Sequence, residues 1–349
     1  MKKREVNLVN LKNRYVFGKD KIYVQSMLNK PPEDINGNVQ QAKELENSGC
    51  DIVRVAIPNM EAIQLIPAIK DKISIPLVAD IHFDYKLAIE AVNAGVDKIR
   101  INPGNIGDES KIKQVISACK KASIPIRIGV NSGSVEKNIL EKYSFPTPNA
   151  LVESALNNVK LLEKYDFKDI IISIKSSDVI DTINAYRLLA QECSYPLHLG
   201  VTEAGTKHMG IIKSAIGIGS LLADGIGDTI RVSLTGDPID EVKAGHDILK
   251  AVNLDDNSVK IVSCPTCGRT KIDILSIANK IEKEVMNIKK DIKVAIMGCA
   301  VNGPGEAKDA DIGIAGGDGC ALLFKKGKIC EKIPESEILK VLINEIKKM

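Results

Sequence analysis

From about residue 20 to residue 235, short β-branched runs with polar residues near their tips alternate with amphipathic stretches. The runs are 22–26, 51–56, 77–82, 98–102, 126–131, 169–175, 197–203 and 229–234. Strand-like runs separated by helical patterns predict a parallel sheet. Eight such units in roughly 250 residues have the size of a (β/α)8 barrel. Predicted helices at 39–48 and 85–93 run into Gly49 and Gly95, where glycine supplies the left-handed cap that turns the chain toward the next strand. Pro76, Pro125 and Pro196 stand just before strands, where a missing N–H costs little. Residues 209–227 read as the helix or Gly-rich turn before the eighth strand. The long connection 132–168 holds Phe145-Pro146-Thr147-Pro148 and reads as a lid or a surface excursion.

The pattern changes after a helix over 237–252. Residues 253–258 are polar and turn-forming, a linker in character. Beyond them the sequence predicts a strand into Cys264, a helix 272–288, a strand 294–297 and a pair of strands turned at 316–319. A hairpin at 325–328 and a helix 335–348 close the chain. The predicted organisation is an α/β TIM barrel over 1–253, then a small α+β domain over 254–349.

Composition narrows the function. Among 349 residues, 44% are hydrophobic and 27% charged, an ordinary soluble balance. Aromatics are 3% with no Trp, which leaves little to stack on nucleic-acid bases. A net charge of +3 is too small for a polyanion-coating protein, so anion recognition must come from a local cluster. The basic N-terminus is followed by no apolar run, so no signal peptide is expected. The stretch 209–227 carries Lys213 and Asp224, so no membrane span is expected either. Eight cysteines in such a chain read as cytoplasmic thiols.

In a barrel of this kind the chemistry gathers where the strands end. Those ends carry Arg54, Asp80, His82, Arg100, Asn102, Arg127, Asn131, Lys175, Glu203, Arg231 and Ser233. Alternation puts Arg100 with Asn102, Arg127 with Asn131, and Arg231 with Ser233 on shared faces. A solvated rim of Arg–carboxylate pairs would explain one such arginine. Four arginines and a lysine at equivalent positions, with few acids among them, predict an anion of high charge instead. A diphosphate suits the guanidinium fork. Asp80, His82 and Glu203 remain to orient hydroxyls or handle protons. His198 reads as structural, and His208 and His246 as helix or surface residues. The glycines at 217 and 219 resemble a phosphate loop only superficially, since no strong strand precedes them and no Lys-Ser pair follows.

Cys264-Pro265-Thr266-Cys267 can aim two sulfurs at one metal centre from a single turn. Cys299 arrives from a second segment, where Gly303, Pro304 and Gly305 let the backbone close around a compact group. Soft thiolates select zinc or an iron–sulfur cluster. The fourth ligand stays open. Glu306 would be a poorly matched ligand able to leave, which a catalytic centre needs, whereas Cys320 or Cys330 would close the site. Cys50, Cys119 and Cys193 read as small buried hydrophobes.

The run 262–270, Val-Ser-Cys-Pro-Thr-Cys-Gly-Arg-Thr, and the run 297–306, Met-Gly-Cys-Ala-Val-Asn-Gly-Pro-Gly-Glu, carry a resemblance. They look like the bacterial hydroxymethylbutenyl diphosphate synthase family of the methylerythritol phosphate isoprenoid pathway. The likeness extends to Val24-Gln25-Ser26-Met27, to the Ile99–Asn105 and Gly129–Ser134 segments, and to Gly200-Val201-Thr202-Glu203-Ala204-Gly205, and covers essentially the whole chain.

The resemblance implies a [4Fe–4S] cluster on Cys264, Cys267, Cys299 and Glu306, which makes the second domain an iron–sulfur domain. It implies reductive ring opening and dehydroxylation of methylerythritol cyclodiphosphate, with two electrons from flavodoxin or ferredoxin. Arg54, Arg100, Arg127, Asn131, Lys175, Arg231 and Ser233 would hold the diphosphate. Asp80, His82, Thr202 and Glu203 would line the reacting end. A homodimer is implied, the cluster domain of one chain capping the barrel mouth of the other. The rival readings are a non-redox barrel aldolase or pterin-type synthase with a structural zinc domain, and a zinc-stabilised binding module.

Overall fold

The chain opens with a short antiparallel hairpin, β1 (Val9–Leu11) against β2 (Tyr15–Phe17). The eight runs then become β3 (Tyr23–Met27), β4 (Ile52–Ala56), β5 (Leu77–Asp80) and β6 (Lys98–Ile101), followed by β7 (Ile126–Asn131), β8 (Ile170–Lys175), β9 (His198–Leu199) and β10 (Thr229–Ile230). They pair in parallel in the order β8-β7-β6-β5-β4-β3-β10-β9. A parallel bridge between Ile172 and Leu197 joins the outer two, with the Ile172 N–H donating to Pro196 O at 2.9 Å. The sheet therefore closes on itself, and the α/β barrel expected from the runs is the observed fold. The computed structural model describes every residue except 1, 2, 13, 256, 257, 287, 301–304, 306 and 307. Two compact units divide the chain, Met1–Leu254 and Asp255–Met349.

The first unit's helices are α1 (Ile35–Asn47), α2 (Leu65–Lys70), α3 (Tyr85–Asn93), α4 (Pro103–Ile106) and α5 (Glu109–Ala122). They continue as α6 (Lys137–Tyr143), α7 (Pro148–Glu163), α8 (Val179–Glu192), α9 (Lys207–Ala223) and α10 (Pro238–Ala251). Asp34, Asp84, Asp178 and Asp237 start helices by accepting a first-turn N–H. Gly49 and Gly95 follow α1 and α3 at φ +93 and +88, the left-handed region predicted for them. The 132–168 connection contains the barrel's own helix α7, whose Leu151, Ala155, Val159 and Leu162 are buried. Phe145, in the turn before α7, is an exposed large hydrophobic.

Two different cores result. Strand outer faces and helices share one apolar shell. Inside the barrel, Val9, Leu11 and Phe17 of the hairpin pack with Tyr23, Ile52, Val78 and Ile171 to make an apolar floor. Climbing each strand by two residues leads from that floor to polar groups: Ile52 to Arg54, Val78 to Asp80, Tyr23 to Gln25. The hairpin was not among the predicted elements, because three-residue strands are too short for alternation to stand out. β9 and β10 are shorter than their runs, although the Arg231 N–H still donates to Leu199 O at 2.9 Å beyond them.

The second unit is a five-stranded sheet of β11 (Val259–Ser263), β12 (Ile292–Met297), β13 (Ile312–Gly317), β14 (Cys320–Lys325) and β15 (Lys328–Pro334). The first three run parallel and the last two antiparallel. Helices α11 (Ile274–Val285) and α12 (Ile338–Lys348) bury Ile277, Ile281, Leu342 and Ile346 against Val294, Ile296, Ile312 and Ile314. Among the described residues no helix is long and apolar enough to cross a membrane.

Candidate active site

The barrel interior above its floor is crowded with cations. Asp80, Arg100 and Arg127 stand side by side on β5, β6 and β7. Asp80 accepts from Arg54 Nη2 at 2.6 Å and from Arg100 Nη1 at 3.3 Å, and His82 Nε2 lies 3.1 Å from it. Burial opposes the charge on Asp80, but Arg54, His82 and Arg100 outweigh it and hold the carboxyl well below its usual range. Arg100 fits only because Gly129 faces it, since a Cβ there would stand 2.3 Å from Arg100 Nε. Gly200 lets the Arg231 carbonyl and Lys175 approach, which an added Cβ would meet at 2.7 Å and, at Nζ, 3.0 Å.

Other cations lack a partner. Arg127 is 1% exposed, and its Nε and Nη1 make no hydrogen bond among the described residues. Burial, then repulsion from Arg54 and Arg100, pushes it well below its ordinary range. Lys175 is pushed down by burial and then by Arg231, Arg54, Arg127 and Arg100. Arg231 differs, because Glu241 of α10 accepts from its Nε at 3.2 Å and its Nη2 at 3.1 Å. The expectation of few acidic partners therefore needs correcting: Asp80 serves two arginines and Glu241 a third.

Asn131 pairs with Lys175 across β7 and β8, and its N–H donates to Ser134 Oγ at 3.2 Å. Thr202, Glu203 and Ser233 lie on the loops after β9 and β10. A bridge between Thr206 and Thr235 ties these loops together. The Thr202 N–H donates to Ser176 O at 3.3 Å. Glu203 is exposed and sits at φ +51, a left-handed conformation that costs a non-glycine residue free energy. The His82 side chain is 49% exposed beside Phe83, so it stands at the open end while Asp80 is buried beneath it.

Three inward residues escaped the sequence reading. Lys98 is fully buried with its Nζ 4.8 Å above the Phe17 ring and no hydrogen bond among the described residues; burial, then Arg127 and Arg54, lowers its pKa strongly. Gln25 has both amide atoms buried and unpartnered. Period-two alternation back from Arg100 and Met27 was the available signal for both. Glu241 had none, because its partner lies ten positions away on another element. His198 is buried: Nδ1 lies 2.7 Å from Thr229 Oγ1, Nε2 has no partner among the described residues, and burial, then Arg127, Lys175, Lys98 and Arg54, pushes its pKa well below the usual imidazole range.

In the second unit Cys264 directly follows β11 and Cys299 follows the neighbouring parallel strand β12. The Gly298 N–H donates to Cys264 Sγ at 3.1 Å. The Lys271 N–H donates to Gly298 O at 2.9 Å, which laces the 264–271 loop to the same strand end. Cys267 is exposed, and the Arg269 backbone and side chain lower its pKa. Among the described residues no three His, Cys, Asp or Glu side chains are grouped closely enough to hold a metal ion. Glu306, expected as the fourth ligand, lies outside the described residues, as do Asn302, Gly303 and Pro304 of its turn. In chemistry the donors fit a soft-metal centre: three thiols from adjacent strand exits, one already receiving a backbone N–H of the kind that tunes cluster sulfurs. Cys320 begins β14 at the same end of the strands, opposite Gly317 at the end of β13. Cys330 is removed as a rival, because β15 is four strand spacings from β11, roughly 19 Å. Cys50 and Cys119 are buried thiols pushed up to about 12 by burial; Cys193 is half-buried.

Comparison with known proteins covers both units. Residues 6–246 match the family described as GcpE TIM-barrel domain, and residues 260–348 match the GcpE protein C-terminal domain. The chain belongs to the GcpE family. A relative from Clostridium perfringens (strain 13 / Type A), named 4-hydroxy-3-methylbut-2-en-1-yl diphosphate synthase (flavodoxin), is 56% identical over 99% of both chains. One of the same name from Caldanaerobacter subterraneus is 58% identical over 98% of this chain and 96% of its own. This GcpE-family chain is accordingly an enzyme. Among solved structures, dihydropteroate synthase from Stenotrophomonas maltophilia shares the barrel with a TM-score of 0.52 and 14% identity, over 70% of this chain and 97% of its own. That likeness concerns the fold alone.

Proposed function

We propose that this GcpE-family enzyme reductively opens 2-C-methyl-D-erythritol 2,4-cyclodiphosphate to 4-hydroxy-3-methylbut-2-enyl diphosphate and water, a step of isoprenoid biosynthesis. The observation that carries this reading is the unbalanced positive charge inside the barrel, above all the partnerless edge of Arg127. Two electrons and one proton enter; one ring C–O bond and one carbon–hydroxyl bond break, and a C=C bond forms. Ring opening turns a bridging phosphate oxygen into a terminal one, so the phosphates gain negative charge as the bond breaks. Arg54, Arg100, Arg127, Lys175 and Arg231 therefore hold the product-like state more strongly than the substrate, which is the differential binding that lowers a barrier. Asn131 and Ser233 add neutral hydrogen bonds at the same strand ends. Asp80 orients Arg54, Arg100 and His82, while exposed His82 and Glu203, with Thr202, would hand the proton to the departing hydroxyl.

A [4Fe–4S] cluster held by Cys264, Cys267, Cys299 and Glu306 would deliver the two electrons singly, supplied by flavodoxin or ferredoxin. The thiol chemistry supports that donor set, and the relatives' printed name supports flavodoxin. Met209, Ile212 and Ile216 form an exposed apolar stripe on α9, which supports a homodimer. Free cysteines throughout the described chain support a reducing cytoplasmic setting. Protein purified without oxygen is expected to be brown and to convert the cyclic diphosphate when given reduced flavodoxin. A colourless, zinc-bearing protein without that turnover sinks the reading.

A further inference from the structure

Glu241 stands in the first turn of α10 and is 3% exposed. It reaches the barrel interior because α10 lies hard against β3: one turn on, a Cβ at Gly245 would come within 2.9 Å of Val24 Cγ1. Its carboxylate accepts four hydrogen bonds. Oε2 takes Ser26 Oγ at 2.9 Å and Arg231 Nε at 3.2 Å; Oε1 takes Arg231 Nη2 at 3.1 Å and the Leu234 N–H at 3.1 Å. One side chain thus ties together β3, the exit of β10 and the loop that carries Ser233. It grips the planar guanidinium along one edge and, among the described residues, leaves Nη1 with Met27 Sδ alone, at 3.6 Å. Among the described residues no other arginine of the site is held this way, since Arg54 and Arg100 share Asp80 and Arg127 pairs with no acid.

We propose that Glu241 is a positioning residue: it sets the orientation of Arg231 and of the Ser233–Leu234 backbone, and acts on a bound diphosphate only through them. With its lone pairs already used and its side chain buried, the carboxylate does not touch the ligand. The inference rests on the diphosphate reading of the barrel. A merely structural buried ion pair would affect stability without being coupled to anion binding through Arg231.

Inorganic pyrophosphate is the probe, titrated calorimetrically into the full chain purified without oxygen. Wild type is expected to bind it; no binding overturns the diphosphate reading and this inference together. Glu241→Gln is expected to weaken binding about tenfold, and Arg231→Ala at least as much. The double variant is expected to match Arg231→Ala within about twofold, because both changes remove one device. Wild-type affinity in Glu241→Gln, or its full loss repeated on top of Arg231→Ala, overturns the positioning role and leaves the diphosphate reading standing. If Glu241→Gln does not fold, Glu241→Asp takes its place in the same cycle, with a smaller loss expected and the same two overturning outcomes.

Discussion

The cation cluster of the barrel and the thiols of the second unit are held by unlike means. Every cation of that cluster projects from a strand or the residue just past it, so the pleat fixes its direction before any ligand arrives. Arg54, Asp80 and Arg100 already hydrogen-bond one another, and Gly129 and Gly200 leave space shaped to Arg100 and Lys175. The cysteines sit on loops beyond the strand ends, held by hydrogen bonds of the loop backbone such as Gly298 N–H to Cys264 Sγ, Cys264 N–H to Ile296 O and Lys271 N–H to Gly298 O. A preformed anion site costs stability whether or not it is occupied, because its charges are buried in advance. A loop-borne thiol site draws its order from the metal it binds.

The largest effect should come from the thiols. Cys264→Ser is expected to remove the visible absorption and cut turnover at least about 1,000-fold, ~4 kcal/mol of transition-state stabilisation. Pyrophosphate affinity of the same variant, read by calorimetry, should stay within about twofold of wild type. Loss of that affinity would break the contrast between the two sites.

Arg127→Met tests the other side. Removing a buried, half-unpaired guanidinium is expected to weaken pyrophosphate binding about 100-fold. The same change is expected to raise the ligand-free unfolding free energy by about 1–3 kcal/mol in urea titrations. A destabilised variant would mean that Arg127 supports the fold rather than waits for an anion.

The smallest effect is a pH dependence of stability without ligand. Lys98 and Lys175 have folded-state pKa values pushed below that of the unfolded chain, about 10.4. Between the folded and unfolded values the unfolded state binds more protons, so stability should rise as pH climbs from the depressed folded values toward 10. Asp80 has the same sign at the acid end: its stabilisation is present above about pH 4 and lost as pH falls through its depressed value. Saturating pyrophosphate should flatten the alkaline rise, because a bound anion restores the ammonium charges. Thermal unfolding across pH, with and without pyrophosphate, reads both.

Much of the barrel site was legible because strands repeat with period two and the cations stand at equivalent strand ends. Arg54, Arg100, Arg127, Lys175 and Arg231 could be named from that alone. The floor was not legible, since Val9, Leu11 and Phe17 come from three-residue strands whose role depends on what they meet. Nor were the pairings: Asp80 could have served any neighbouring arginine, and the link from Glu241 to Arg231 crosses from a helix to a strand exit.

By itself, the amino-acid sequence determined the eight βα units, their parallel order, the ring of strand-end cations and the set of soft donors, because each is written in local periodicity and residue type. The tertiary structure alone decided which charges are neutralised and which remain exposed to a ligand. That distinction is set by distances between residues far apart in the chain, such as Arg231 and Ser26 meeting at one carboxylate, and no local pattern encodes them.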